Sequence, residues 1–361
     1  MDDESIERRR SRVLLGIAIL ACAMLLAAVV PSPYVIEQPG PVVDTLGETG
    51  EESTPVIAID GVATYPTSGE LNLLTVSILG NRERPKSWLS LVPALFDRAQ
   101  RLAPVDEFYP RGVTVEQRET ENAVLMDSSQ MQAAAAAFRE TGEEVGVELS
   151  VAGVSEGGPA EGLLEVGDRL VSLDDETVDD FSALRRGIAE AGAGTEIRLG
   201  IVRDGEAREV RLTPRLPEDG SEPLIGVLVS SSYDLPAEVD ISLSQIGGPS
   251  AGLVFGLAIL DRLTPGAMLD GRTVSGTGTL TDTGEVGAIG GLVQKMWAAE
   301  RAGSDLFLMP VENCADLPGR LPAGLRIAPV ESLEEAVEAI DALTAGAEPA
   351  GVERCEAAAG E

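Results

Sequence analysis

The sequence predicts an α+β multidomain protein behind a single N-terminal transmembrane helix. Three observations carry this reading. Residues 13–30 form an uncharged apolar run of 18 residues, just long enough to cross a bilayer. Beyond it, short strand-like stretches alternate with helical ones, which argues α/β or α+β packing rather than a helical bundle. The 361 residues leave room for two or three domains.

Composition narrows the chemistry. Hydrophobic residues make up 44% but aromatic ones only 3%, so the cores must rely on Leu, Val, Ile and Ala. The formal net charge of -33 argues against nucleic-acid binding and for strong solvation of the soluble part. Histidine is absent, which excludes Ser-His-Asp and Cys-His catalysis and every zinc site built on histidine. No metal and no cofactor is expected.

Residues 1–12 are polar and include Arg8, Arg9, Arg10 and Arg12, and no further Lys or Arg follows until Arg82. Counting basic residues puts 1–12 in the cytoplasm as a short tail and the bulk of the chain outside. A cleaved signal peptide and a lipoprotein signal at Cys22 compete with an uncleaved anchor. The apolar run continues past Cys22 to Val30, which favours the anchor. Residues 31–55, rich in Pro, Gly, Glu and Thr, read as a linker. Residues 56–141 read as an α/β region packing against the last domain, with strands near 56–61 and 71–79 and helices near 88–102 and 122–138. Residues 344–361 read as a disordered tail. Because Cys355 falls in that tail, Cys314 and Cys355 are expected not to pair.

In the middle of the chain, 145–154 alternates like a strand. It is followed by Gly157-Gly158-Pro159-Ala160-Glu161-Gly162-Leu163-Leu164 and by Val166-Gly167-Asp168-Arg169-Leu170. Residues 181–190 fit a helix, and 196–202 with 207–212 fit a hairpin about Asp204-Gly205. The stretch 142–215 resembles the PDZ family, with Gly158 and Leu170 replacing the usual Ser and Ile. The resemblance implies a groove that takes a partner's extended C-terminal segment as an added strand, with Val145, Gly146 and Val147 at the carboxylate-binding loop.

The last part holds the chemistry. In Gly247-Gly248-Pro249-Ser250-Ala251-Gly252 a serine stands where a Gly/Pro turn meets the apolar run 253–260, so backbone N–H groups crowd near its hydroxyl. The 27 basic residues include only two lysines, Lys86 and Lys295. Lys295 lies in Gly290-Gly291-Leu292-Val293-Gln294-Lys295. Arginine keeps its proton in proteins, whereas a desolvated amine falls toward neutrality and becomes a base. With histidine excluded, a serine nucleophile needs another base, and a Ser-Lys pair is an established variant of that logic.

Residues 222–343 resemble the Lon-type proteolytic domain, and the whole order resembles membrane-anchored bacterial PDZ–Lon-like proteases. The resemblance carries the nucleophile onto Ser250 and the lysine onto Lys295. Gly276-Thr277-Gly278-Thr279-Leu280 and Gly284-Glu285-Val286 fit as well. Two departures stand out: Gly247 replaces an Asp common three residues before the serine, and Ser275 stands near a threonine that other members place close to the lysine. Gly248 and Ala251 are candidate oxyanion donors, and Ser275 is a candidate support for the amine. No G-x-x-x-x-G-K-[ST] motif occurs. The implied activity is an ATP-independent serine endopeptidase acting on unfolded or membrane-proximal extracytoplasmic proteins, which the PDZ-like module recruits. A non-catalytic PDZ-based scaffold is the alternative. A homo-oligomer stays open.

Overall fold

The computed structural model describes residues 3–50, 53–110, 112, 114–178, 180–217, 220, 222–243 and 246–358. The first helix runs Asp3–Val29, longer at its start than the apolar run. Its 18-residue window Arg12–Val29 has mean hydropathy 2.5, and none of it is buried. Pro31 and Pro33 end it, because the residue before a proline is pushed out of the helical region.

The segment read as a linker contains a strand of the central sheet. Tyr34–Asp44 pairs antiparallel with both Glu70–Leu79 and Arg101–Pro104. The register shifts between Pro39 and Val42, so the two prolines that suggested a spacer sit at an irregularity where a missing N–H is tolerated. The sheet continues from Glu70–Leu79 to Thr273–Gly276, Leu306–Pro310 and Arg326–Val330, all three joined in parallel.

Across this sheet lies the helix Gly252–Leu263, buried along nearly its whole length. The helix Val115–Glu140 packs on it through the buried run 133–137, all alanine, whose small side chains let the two backbones approach. Its start is held by a capping box between Thr114 and Gln117. A Cβ at Gly252 would stand 2.8 Å from the backbone N of Leu280, so only glycine lets the turn after residue 276 lie against this helix. Val56, Ile57, Met126 and the alanines share one core with Leu253, Phe255 and Leu333. The expected N-terminal region and the C-terminal domain are therefore one folded unit.

The 142–215 module has a core of its own, including Leu149, Leu170, Leu184 and Ile201. Its sheet runs in the order Glu206–Leu212, Ile197–Arg203, Arg169–Leu173, Gly146–Val154, Val227–Asp234. The hairpin turn at Asp204-Gly205 is as expected, with both residues at positive φ (53° and 80°). The module extends beyond residue 215, because Val227–Asp234 pairs along the full length of Gly146–Val154 and Ile225 enters the module's core.

The end of the chain also differs from expectation. A short helix, Glu353–Ala358, follows Leu333–Thr344, and Cys355 is disulfide-bonded to Cys314 with their Cα atoms 5.3 Å apart. Arg354 reinforces the attachment through Glu335, at 2.6 Å. The Gly- and Ala-rich composition suggested disorder, but the cross-link and this ion pair supply the contacts that composition alone lacks.

Candidate active site

Ser250 lies immediately before the helix Gly252–Leu263, whose cap is Ala251. Its approach is pinned on two sides. The amide of Gly248 donates to Asn122 O at 2.9 Å, and Ser129 Oγ donates to Pro249 O at 3.0 Å. The carbonyl of Ser250 accepts from Gly278 N at 3.0 Å and from Thr277 Oγ1 at 3.2 Å. The serine is thus held between the long helix of the N-terminal half and the turn after Thr273–Gly276.

Lys295 sits in the first turn of the helix Leu292–Arg301, which Gly291 opens in the left-handed conformation (φ 69°). A Cβ at Gly291 would stand 2.5 Å from Val76 Cγ2 and 2.9 Å from Glu37 Oε1, so glycine lets this helix start against the central sheet. Lys295 is 3% exposed. Its Nζ lies 2.9 Å from Ser250 Oγ and 3.0 Å from Thr277 Oγ1. Burial lowers the Lys295 pKa to about 7, and the Glu37 carboxylate acts in the opposite direction.

Glu37 is itself buried and receives Arg101 Nε at 2.5 Å, while the same guanidinium pairs with Glu107 at 2.6 Å. An open cleft of about 550 Å³ runs over Ser250 and Lys295, with Glu37, Phe108, Thr279 and the strand segment 73–78 along its walls. A half-exposed hydroxyl beside a desolvated amine, at the start of a helix, has the parts needed for acyl transfer.

The structure thus brings Ser250 and Lys295 together and ties two other expected residues to partners elsewhere. Ser275 does not reach the amine; its Oγ lies 2.6 Å from Ser304 Oγ, beyond the C-terminal end of the lysine helix. Thr277, two residues further along, supplies the hydroxyl beside the amine. Gly248 has its N–H engaged by Asn122, which leaves Ala251 and Ser250 itself at the helix start. Glu37 and Arg101 were not singled out from sequence. Both lie far from the motif in the chain, and no local pattern marks them.

Val145, Gly146 and Val147 line a second cleft, of about 710 Å³, together with Arg139, Glu144, Leu170 and Val178. Gly146–Val154 pairs with Arg169–Leu173 only at Leu149 and Ser150, so the strand's first residues diverge from that neighbour and leave the cleft between. Arg139 joins the two clefts' domains. It donates to Val145 O at 3.3 Å and to Asp282 O and Oδ2 at 2.8 and 2.9 Å. Asp282 lies in the turn of the short hairpin formed by Thr279–Leu280 and Val286–Gly287, beside the Ser250 cleft. Among the described residues no group of three His, Cys, Asp or Glu side chains is placed to hold a metal.

Two family models match the chain, and the PDZ match begins within the helix-bearing segment that packs on Gly252–Leu263. The family model of the Lon protease (S16) C-terminal proteolytic domain matches residues 244–343, and that of the PDZ domain matches 112–213. The chain is 37% identical over 110 residues to Lon protease 1 of Myxococcus xanthus, covering 30% of this chain and 13% of that protein. It is 34% identical over 109 residues to the Lon protease of Buchnera aphidicola subsp. Schizaphis graminum, covering 29% and 14%. The chain therefore spans only about one seventh of the length of these relatives. A solved PDZ domain of an SdrC-like protein from Listeria monocytogenes overlays on 22% of this chain and 85% of its own, at 16% identity and a TM-score of 0.22. A Lon proteolytic domain and a PDZ domain are both present, and the Lon homologues support a serine peptidase.

Proposed function

We propose that the chain is an ATP-independent serine endopeptidase in which Ser250 is the nucleophile and Lys295 the general base. The observation that carries this reading is the 2.9 Å separation of Lys295 Nζ from Ser250 Oγ, with the amine buried and its pKa lowered to about 7. A neutral Lys295 takes the Ser250 proton as Oγ attacks a peptide carbonyl. The N–H groups of Ser250 and Ala251, at the helix start, stabilise the oxyanion. Lys295 then gives the proton to the departing amine; it next takes a proton from the water that attacks the acyl carbonyl and returns it to Ser250 Oγ as the acyl group leaves as a carboxylic acid.

The N-terminal helix anchors the chain, with its N-terminus in the cytoplasm, and the peptidase works outside on unfolded or membrane-proximal proteins. The cleft at Val145, Gly146 and Val147 accepts their C-terminal or extended segments by strand addition. The test is cleavage of a permanently unfolded polypeptide by the native chain, Ser250→Ala and Lys295→Arg. The arginine keeps the charge but cannot deprotonate. Loss of cleavage in both variants supports the dyad; cleavage at the native rate in either removes it. A native chain that binds C-terminal peptides and cuts nothing would be the scaffold instead.

A further inference from the structure

We propose that the 3-10 helix Trp88–Leu95, with Phe96, lies in the headgroup boundary of the same bilayer that the N-terminal helix crosses. This rests on reading residues 13–30 as a membrane span. The segment is two-faced. Leu91 and Ala94 are buried against Ile36, Leu79 and Leu102, while Trp88, Leu89, Val92, Leu95 and Phe96 face outward. Leu95 is 66% and Phe96 83% exposed. In a chain with 60 acidic residues, the ten residues 87–96 carry no charge. An outward apolar surface of this kind on an otherwise heavily charged protein marks an interaction site.

The occupant follows from what the surface is attached to. The N-terminal helix ends at Val29, and Trp88 N donates to Val30 O at 3.4 Å while Ser32 N donates to Lys86 O at 2.8 Å. Pro31 and Ser87 form an isolated antiparallel bridge between them. The Trp88 backbone is thus one hydrogen bond from the end of the apolar helix. If that helix spans a bilayer, this segment stands at the water boundary. Val29 and Val30, next to it, are themselves exposed. Trp88 also packs edge-on against Tyr34, ring centroids 5.9 Å apart, and Trp and Tyr are the residues that settle at this depth. A short apolar face with a polar back, lying along the interface, is how proteins rest on membranes.

The placement has a consequence for the peptidase. Glu37, in the wall of the Ser250 cleft, is three residues along the strand from Tyr34, about 10 Å by strand rise. The cleft then opens close above the lipid surface, within reach of segments just leaving the bilayer.

The two tryptophans, Trp88 and Trp297, make a direct test. The full chain carrying Trp297→Phe is reconstituted into phosphatidylcholine vesicles, with or without bromines on the upper acyl chain, and isolated by flotation. Should that variant fail to fold, the native chain read against Trp88→Phe gives the same quantity. The proposal expects flotation, loss of most Trp88 emission in the brominated vesicles, and protection from aqueous acrylamide. Flotation with Trp88 open to acrylamide and insensitive to bromine overturns the proposal and leaves the span intact. Flotation with Trp88 shielded from both quenchers means that protein covers the face, which also overturns it. A chain that fails to float removes the span and the proposal with it.

Discussion

Thr277 holds the amine of Lys295, Oγ1 to Nζ at 3.0 Å. The threonine gives its own proton to the carbonyl of Ser250 at 3.2 Å, so its lone pairs face the lysine. Lys295 donates to it, and in the neutral form proposed for catalysis the amine keeps its lone pair for the Ser250 hydroxyl. Thr277→Val removes that bond and frees the amine to rotate; kcat/KM for an unfolded substrate is expected to fall about 10- to 100-fold. Thr277→Ser keeps the hydroxyl and most of the rate. Ser275→Ala, which only parts Ser275 from Ser304, is expected to act on stability by about 1 kcal/mol rather than on rate.

The pH dependence has a definite sign. Burial puts the Lys295 pKa at about 7, and only the neutral amine is a base, so kcat/KM rises through about pH 7 and levels off above it. Glu37 opposes the shift, so Glu37→Gln moves this rise to lower pH. Arg101→Met leaves the Glu37 carboxylate without its partner and moves the rise to higher pH. The same group marks stability. Between about 7 and the ordinary 10.5 the unfolded chain binds the extra proton, so stability climbs with pH across that window by about 1.4 kcal/mol per unit. Lys295→Met should flatten that slope in denaturant titrations run across it.

Arg139 ties the PDZ-side cleft to the hairpin beside Ser250. Asp282 is 3% exposed and its pKa is raised by burial, with Arg139 pulling the other way. Arg139→Ala leaves the carboxylate buried without its cation. The Arg139 side chain is 27% exposed, so the expected loss is about 1–3 kcal/mol, at the lower end for such a pair. The deficit should shrink on acidification, because a protonated Asp282 no longer needs the charge. Thermal unfolding at neutral and acid pH measures both.

The Cys314–Cys355 bond closes a separation of 41 residues. The chain-entropy relation gives about 4 kcal/mol for a loop of that length. Reduction should therefore lower the melting temperature and free the helix Glu353–Ala358. Peptide mapping without reductant checks the pairing, and melting with and without reductant checks its effect.

The proposed pair, Ser250 and Lys295, was legible because composition isolated it. With no histidine and two lysines, few chemistries remained for Ser250. Thr277 was missed by two residues. Ser275 and Thr277 follow one another along the same strand and turn, and motif spacing does not say which one reaches the lysine. Tyr34–Asp44 falls in the stretch 31–55, read as a linker for its Pro, Gly, Glu and Thr content, which includes Pro39 and Pro41. Their tolerance depends on a register shift set by the partner strand, which is a tertiary fact. Arg101 meets Glu37 across 64 residues of chain and Arg139 meets Asp282 across 143, beyond the range of local pattern. The PDZ-like module was readable in its turn and hairpin, while its last strand, Val227–Asp234, lay outside the recognisable signature.

Whether Lys295 activates Ser250 is read out by labelling with a serine-reactive fluorophosphonate. A single adduct is expected, located on Ser250 by peptide mass spectrometry, forming faster as pH rises through about 7 and lost in Lys295→Arg. An adduct on another serine, or labelling of Ser250 at an unchanged rate in Lys295→Arg, would contradict it.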